Sequence, residues 1–343
     1  MQCNTLSSQL SAAATMLAVV CALATGSFGQ SNNNITVTSP LSNSTVSMPV
    51  QVAATFAGCG GASSGFGYSV GSSPFITWGS SETQINNTDY RLTPGTYPVI
   101  HFKGWSGNTL CETDITNVTV TGPATTTVPN IELNTSYKWV SDSGTGGTAS
   151  GTTQIVSGSP CQDSECREFT MTYSNGGGMR WSTSFGSDTG DQVTHFVYDT
   201  YIYFTGDQDV ENVEMDTNQV WDSAGDVLIF GTQCAGTDGK WQYTTNSGGD
   251  KWNDSAVTCT LSKYWKTDYW HHVQIAVHRV GAIAYYDTVT FDGTTYTLND
   301  SGNSSFDLAW ALGDLVLNFQ IDGSGSSGSV PAFYVDGLTE IYW

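Results

Sequence analysis

The chain has 343 residues, 31 of them acidic and 10 basic, for a formal charge of -21 at pH 7. No run of Lys or Arg occurs, so the basic stripe that would neutralise a nucleic-acid backbone is missing and nucleic acid is excluded as a partner. The same charge repels any polyanionic partner unless a cation stands between them.

Residues 1–29 contain no charged side chain. The apolar run from Ala12 to Ala24, followed by Ser27-Phe28-Gly29, reads as the hydrophobic core and small-residue exit of a secretory signal cleaved after Gly29, without the usual positive n-region. The run is too short to span a bilayer and no other segment reaches ~18 apolar residues, so membrane insertion is not expected after cleavage. The expected location is extracellular. Cys59, Cys111, Cys161, Cys166, Cys234 and Cys259 then remain, an even set that in an exported chain points to disulfides. Chain order suggests Cys59 with Cys111, Cys161 with Cys166 and Cys234 with Cys259, among the roughly 15 pairings that such a set allows. Zinc-type C-x-x-C spacing is absent.

Residues 30–122 read as short strands, including Ile35 to Thr38, Val50 to Ala54, Tyr97 to Lys103 and Ile115 to Val120, punctuated by Pro40, Asn43, Pro49, Gly95 and Gly107. That spacing predicts a β-sandwich. The opening I-T-V-T-S-P, the turn Leu92-Thr93-Pro94-Gly95-Thr96-Tyr97 and the closing V-T-V resemble bacterial immunoglobulin-like modules of exported proteins. The resemblance implies a spacer without chemistry. Residues 123–130, which hold Pro123, Pro129 and three consecutive Thr, lack periodicity and are expected to be a linker.

Residues 131–343 again lack a helical pattern, and more than ten strand candidates in roughly 210 residues predict a two-sheet jelly roll. The stretch Asn212-Val213-Glu214-Met215-Asp216-Thr217-Asn218 has the period of a strand with one wet face. As a strand it projects Asn212, Glu214, Asp216 and Asn218 from one side, with successive Cα atoms ~6.6 Å apart. The same parity groups His272, Gln274 and His278, and it groups Asn318, Gln320 and Asp322, each set opposed by apolar residues. His272 and His278 lie ~20 Å apart along a strand, too far to share one metal ion.

The acidic strand from Asn212 to Asn218, the strand Trp270 to Val277 with its hairpin through Asp292-Gly293, and the closing Ala332 to Tyr342 together resemble the concanavalin A-like lectin and glucanase superfamily. The resemblance implies an all-β chain, an immunoglobulin-like sandwich followed by a larger jelly roll at residues 131–343, with a concave sheet face that carries a glycan. On that expectation Asn212, Glu214, Asp216, Asn218, His272, Gln274, His278, Asn318 and Gln320 bind substrate, with Trp241 and Trp252 as exposed rings for sugar stacking. Asp336 matches a position that resembles a structural calcium ligand. Glu214 and Asp216 are the catalytic pair if the chain is an enzyme.

Retaining glucanases resemble E-x-D-x-E, whereas this strand reads N-x-E-x-D-x-N, so an asparagine stands where one carboxylate would be needed. Jelly-roll lyases offer a second template, with Gln274 neutralising a uronate and His272 acting with Tyr198, Tyr201 or Tyr203, but the lyase order Q-x-H is reversed here. The leading expectation is therefore a secreted carbohydrate-binding protein whose partner is a polysaccharide. A hydrolase or lyase on the same cleft, or a cell-surface structural or adhesive protein, are the alternatives.

Overall fold

Buried and exposed positions alternate in strands such as 50–56 and 84–89, whereas central strands such as 195–204, 210–220 and 270–280 are buried along nearly their whole length. The computed structural model describes residues 31–343 except 33, 71–75, 79–82, 137–139, 144–146, 163, 206–209, 222–224, 247–250, 260–266, 309 and 326. The expected signal at residues 1–29 lies outside the described residues. Among them the only helical turn is the 3-10 turn Ile131–Leu133, and the chain is all-β.

The N-terminal part supplies β1 (Ser31–Asn32), β2 (Ile35–Ser39), β3 (Thr45–Ser47), β4 (Val50–Phe56), β5 (Gly65–Val70), β6 (Ile76–Trp78), β7 (Gln84–Asp89), β8 (Gly95–Ser106), β9 (Thr109–Thr121) and β10 (Thr126–Val128). The remainder supplies β11 (Val140–Ser143), β12 (Thr148–Ser157), β13 (Glu165–Ser174), β14 (Gly178–Ser187), β15 (His195–Phe204), β16 (Val210–Val220), β17 (Asp226–Ala235), β18 (Lys240–Thr245), β19 (Lys251–Thr258), β20 (Trp270–Val280), β21 (Ile283–Phe291), β22 (Thr294–Asn303), β23 (Ser305–Asp307), β24 (Asp314–Gly323) and β25 (Ser327–Tyr342). Among the described residues these form three sheets of 12, 8 and 5 strands.

In the N-terminal sandwich, β2, β4 and β7 face the five-stranded sheet β3-β9-β8-β5-β6 across a core of Val37, Val52, Phe56, Phe66, Tyr68, Phe102 and Ile115. Cys59–Cys111 ties its edge. In the jelly roll, the sheet β22-β21-β20-β15-β25-β13-β12 faces the sheet β11-β14-β24-β16-β17-β18-β19. Phe169, Trp181, Phe196, Phe230, Phe319 and Phe333 fill the space between them, with Phe169 stacked on Phe333 at 4.9 Å. Cys161–Cys166 and Cys234–Cys259 are joined as chain order suggested. The stretch expected to be a linker is part of this architecture, since β10 pairs antiparallel with the end of β25.

The two parts share a sheet. β7 continues the twelve-stranded sheet alongside β22 through a short parallel register at Asn86 and Thr294, reinforced by Thr88 N–H donating to Thr295 Oγ1 at 2.8 Å. Beside this junction the N-terminal module presses Arg91 onto the outer face of β15 and β20. Arg91 Nη2 donates to Asp89 at 2.7 Å, Arg91 Nη1 donates to the Tyr201 hydroxyl at 3.0 Å, and its Nε stands 3.9 Å from Asp199. Asp199 Oδ2 also accepts from Gln274 at 2.6 Å and pairs with His272 Nε2 at 2.9 Å, while the Tyr90 N–H donates to Gln274 Oε1. Burial alone would raise the Asp89 carboxyl, but the Arg91 guanidinium outweighs it and holds Asp89 at about 2.

Candidate functional site

The alternation of β16 sends Val213 and Met215 into the core and Asn212, Glu214, Asp216 and Asn218 to the opposite face of the eight-stranded sheet. Register then builds a grid. Arg180 on β14, Gln320 on β24, Glu214 on β16, Gln233 on β17, Gln242 on β18 and Asp254 on β19 lie opposite one another in turn, one row crossing six strands. The next row carries Ser182, Asn318, Asp216 and Gly231. Gly231 is a glycine for a local reason: a Cβ there would meet the Thr244 side chain at 2.6 Å and Asp216 Oδ1 at 3.1 Å.

Side chains in the grid bond laterally. Gln233 Nε2 donates to Gln242 Oε1 at 2.6 Å, and Gln242 Nε2 donates to Asp238 and Asp254, both at 2.8 Å. Asn318 donates to Asp216 at 3.3 Å, and Asp322 accepts from Asn212 at 3.3 Å and from Gln320 at 3.1 Å. Each of these amide nitrogens makes at least one bond, but several of the amide oxygens make none. The amide oxygens of Asn212, Asn218, Gln233 and Asn318 are buried and have no hydrogen-bond partner among the described residues. Buried acceptors without donors cost free energy, on the order of 1–3 kcal/mol each, so these four oxygens, closed off from solvent, are a local cost of packing the grid.

Glu214 is 8% exposed. Burial, and after it the neighbouring Asp216, push its carboxyl well above the ordinary carboxylate range. Burial likewise raises Asp322.

Of the expected site residues, Asn212, Glu214, Asp216, Asn218, Asn318 and Gln320 are brought together on this face. Trp252 joins them: it is half-buried, two residues from Asp254 on the same side of edge strand β19, opposite Thr244. Arg180, Gln233, Gln242 and Asp254 belong to the same grid and were missed, although the alternation of Gln242 with apolar neighbours carried the signal.

His272, Gln274 and His278 do not belong to it. They stand on β20, in the other sheet, on the side that faces the N-terminal module. Gln274 is 2% exposed because Tyr90 and Asp199 close over it. His278, at the rim, stacks between His195 at 5.2 Å and Tyr285 at 4.6 Å and pairs with Asp287. Of the tyrosines expected to act with them, Tyr198 turns into the core and Tyr203 stays half-buried, whereas Tyr201 stacks on His272 at 4.8 Å, so Tyr201, His272 and Gln274 do gather, buried beneath Tyr90 and Arg91. Trp241 is a second correction. It faces the core opposite Cys234, in contact range of Phe291 at 6.4 Å, because the strand parity that turns Gln242 outward turns Trp241 in.

Asp336 is buried and accepts the Gln162 N–H at 2.8 Å. Glu132 stands beside it, its two oxygens accepting from Gly337 and Leu338, and burial raises its carboxyl to about 8. Among the described residues no three His, Cys, Asp or Glu side chains gather here to hold a metal, and a main-chain amide already occupies one oxygen of Asp336.

No family model and no curated protein sequence matches the chain. Solved structures do resemble it at low identity. One belongs to a study of promiscuous carbohydrate-binding modules of the β-sandwich superfamily, with 14% identity, 90% of this chain and 98% of that one covered, and a TM-score of 0.35. An endo-1,3-β-glucanase from Streptomyces sioyaensis matches at 12% identity over 65% of this chain and 99% of its own, with a TM-score of 0.33. SGBP-B from a xyloglucan utilization locus of Bacteroides uniformis matches at 12% identity over 90% of this chain and 72% of its own, with a TM-score of 0.32. Overlaps of this size leave the site to be read from its own residues.

Proposed function

We propose that the chain is an extracellular carbohydrate-binding protein, and that the outward face of the eight-stranded sheet takes a neutral polysaccharide. The observation that carries this reading is the row Arg180, Gln320, Glu214, Gln233, Gln242 and Asp254, which register lines up across six strands of one face. A sugar hydroxyl both donates and accepts, so a glycan can bond to amides, carboxyls and guanidinium alike along such a row. Trp252, at the edge of the same face, offers an apolar ring surface for the C–H side of a pyranose. A formal charge of -21 disfavours uronate and sulfated chains. The three disulfides suit an oxidising compartment outside the cell.

A glycan array followed by calorimetry on wild type and Asn318→Ala tests the reading. Binding of a neutral glycan that weakens by about tenfold or more in the variant supports it; binding that is absent, or untouched by the substitution, overturns it. A hydrolytic reading has one observation in its favour, the raised Glu214, which suits a general acid. Release of reducing ends by wild type and none by Glu214→Gln selects that reading, and binding without turnover selects the first.

A further inference from the structure

The twelve-stranded sheet ends at β12, which pairs on one side with β13 and, among the described residues, with no strand on the other. Edge strands of soluble proteins are normally guarded by charges, proline or brevity, because their unpaired amides and carbonyls template further pairing. β12 has none of these guards: it is 10 residues long, Thr-Ala-Ser-Gly-Thr-Thr-Gln-Ile-Val-Ser, with no charge and no proline. By contrast β19, which ends the other jelly-roll sheet, carries Lys251 and Asp254.

The outer face of this margin is preorganised. Thr148 bonds Ser174 at 2.6 Å, Ser150 bonds Thr172 at 3.0 Å and Thr152 bonds Thr170 at 2.8 Å, a ladder of hydroxyl pairs that holds both strands in extended register. Beside it runs a shallow groove of about 350 Å³ lined by Ser150, Thr152, Thr170, Thr172 and Ser329.

We propose that β12 is the surface through which two copies of this chain associate, pairing antiparallel about a twofold axis near Thr152 and joining their sheets edge to edge. Charge selects this partner and this direction. In a molecule of charge -21, self-association is disfavoured across most surfaces, and β12 is a neutral strip. On the neighbouring strand β13 the acids are confined to one end, Glu165 opposite Ser157 and Glu168 opposite Gln154. Antiparallel pairing sets that end of one copy against the uncharged Thr148 end of the other, whereas parallel pairing would align the acids. A twofold edge contact is also the closed, self-complementary arrangement that stops at two.

Sedimentation velocity of the full mature chain over a wide concentration range tests this, with retained far-UV circular dichroism and melting temperature as the check on folding. Wild type is expected to show a monomer–dimer equilibrium. Ser150→Lys with Thr152→Lys sets like charges opposite one another and weakens association by about tenfold or more, as does Ser150→Asp with Thr152→Asp. An equimolar mixture of the two variants recovers the dimer. Wild type that stays monomeric, charged variants that dimerise as tightly as wild type, or a mixture that stays monomeric overturns the proposal.

Discussion

Strands β16 and β20 both alternate polar with apolar side chains and both turn the apolar set into one core, yet their polar sets meet different surroundings. On β20 the polar side is roofed by the N-terminal module, and His272 and Gln274 find partners in Asp199 and Tyr90. On β16 the polar side bonds to neighbouring strands of its own sheet, and among the described residues some amide oxygens remain without donors. Period-2 alternation thus announces that a strand has a wet or polar side; what that side touches is decided by segments far away in the chain. A clasp and a recognition face are written in the same local pattern.

The sharpest way to break the comparison is to remove the cation of the clasp. Arg91→Met leaves Asp89 and Asp199 buried without it, and chemical denaturation is expected to show a loss of about 3–5 kcal/mol. Glycan affinity of the still-folded fraction should stay within about twofold of wild type. The two regions should also fail at opposite ends of the pH scale. Asp89 is held below its ordinary value, so its contribution is full above that ordinary value and is lost as pH falls through about 2. Glu214, Glu132 and Glu340 are raised by burial, so their contribution is full below the ordinary carboxylate range and is lost as pH rises through their folded values. Glu132, raised to about 8, alone implies a decline on the order of 4 kcal/mol between mildly acidic and alkaline solution. Denaturant titrations across pH should therefore place maximum stability on the acid side of neutrality, with Glu214→Gln flattening part of the alkaline fall.

Two smaller effects separate the faces. Gln274→Leu removes the donor to Asp199 and should cost about 1–3 kcal/mol in thermal or denaturant unfolding without changing glycan affinity. Gln233→Leu deletes one lateral bond together with one orphaned acceptor, so stability should move by less than about 1 kcal/mol while glycan affinity falls about tenfold. If Gln274→Leu weakened binding and Gln233→Leu did not, the assignment of the two faces would be reversed.

The all-β jelly-roll architecture was legible because strand parity and turn residues are local signals, and the disulfide pairs followed from chain order. Within the candidate site, the β16 and β24 members were legible for the same reason. Gln233 and Asp254 were not, because they join the grid only through register between strands. His272 and Gln274 misled because no local feature distinguishes a roofed polar side from an open one. Trp241 and Trp252 differ in fate by a single step of parity, and the disulfide from Cys234 to Cys259 fixes that step only once the strands are paired.

The short parallel junction between Asn86 and Thr294 has a mechanical consequence. To swivel, the N-terminal module would have to shear a sheet edge and lift Arg91 off Asp199. The heading of the polar grid is thereby tied to the heading of the first sandwich, so turning one carries the other with it.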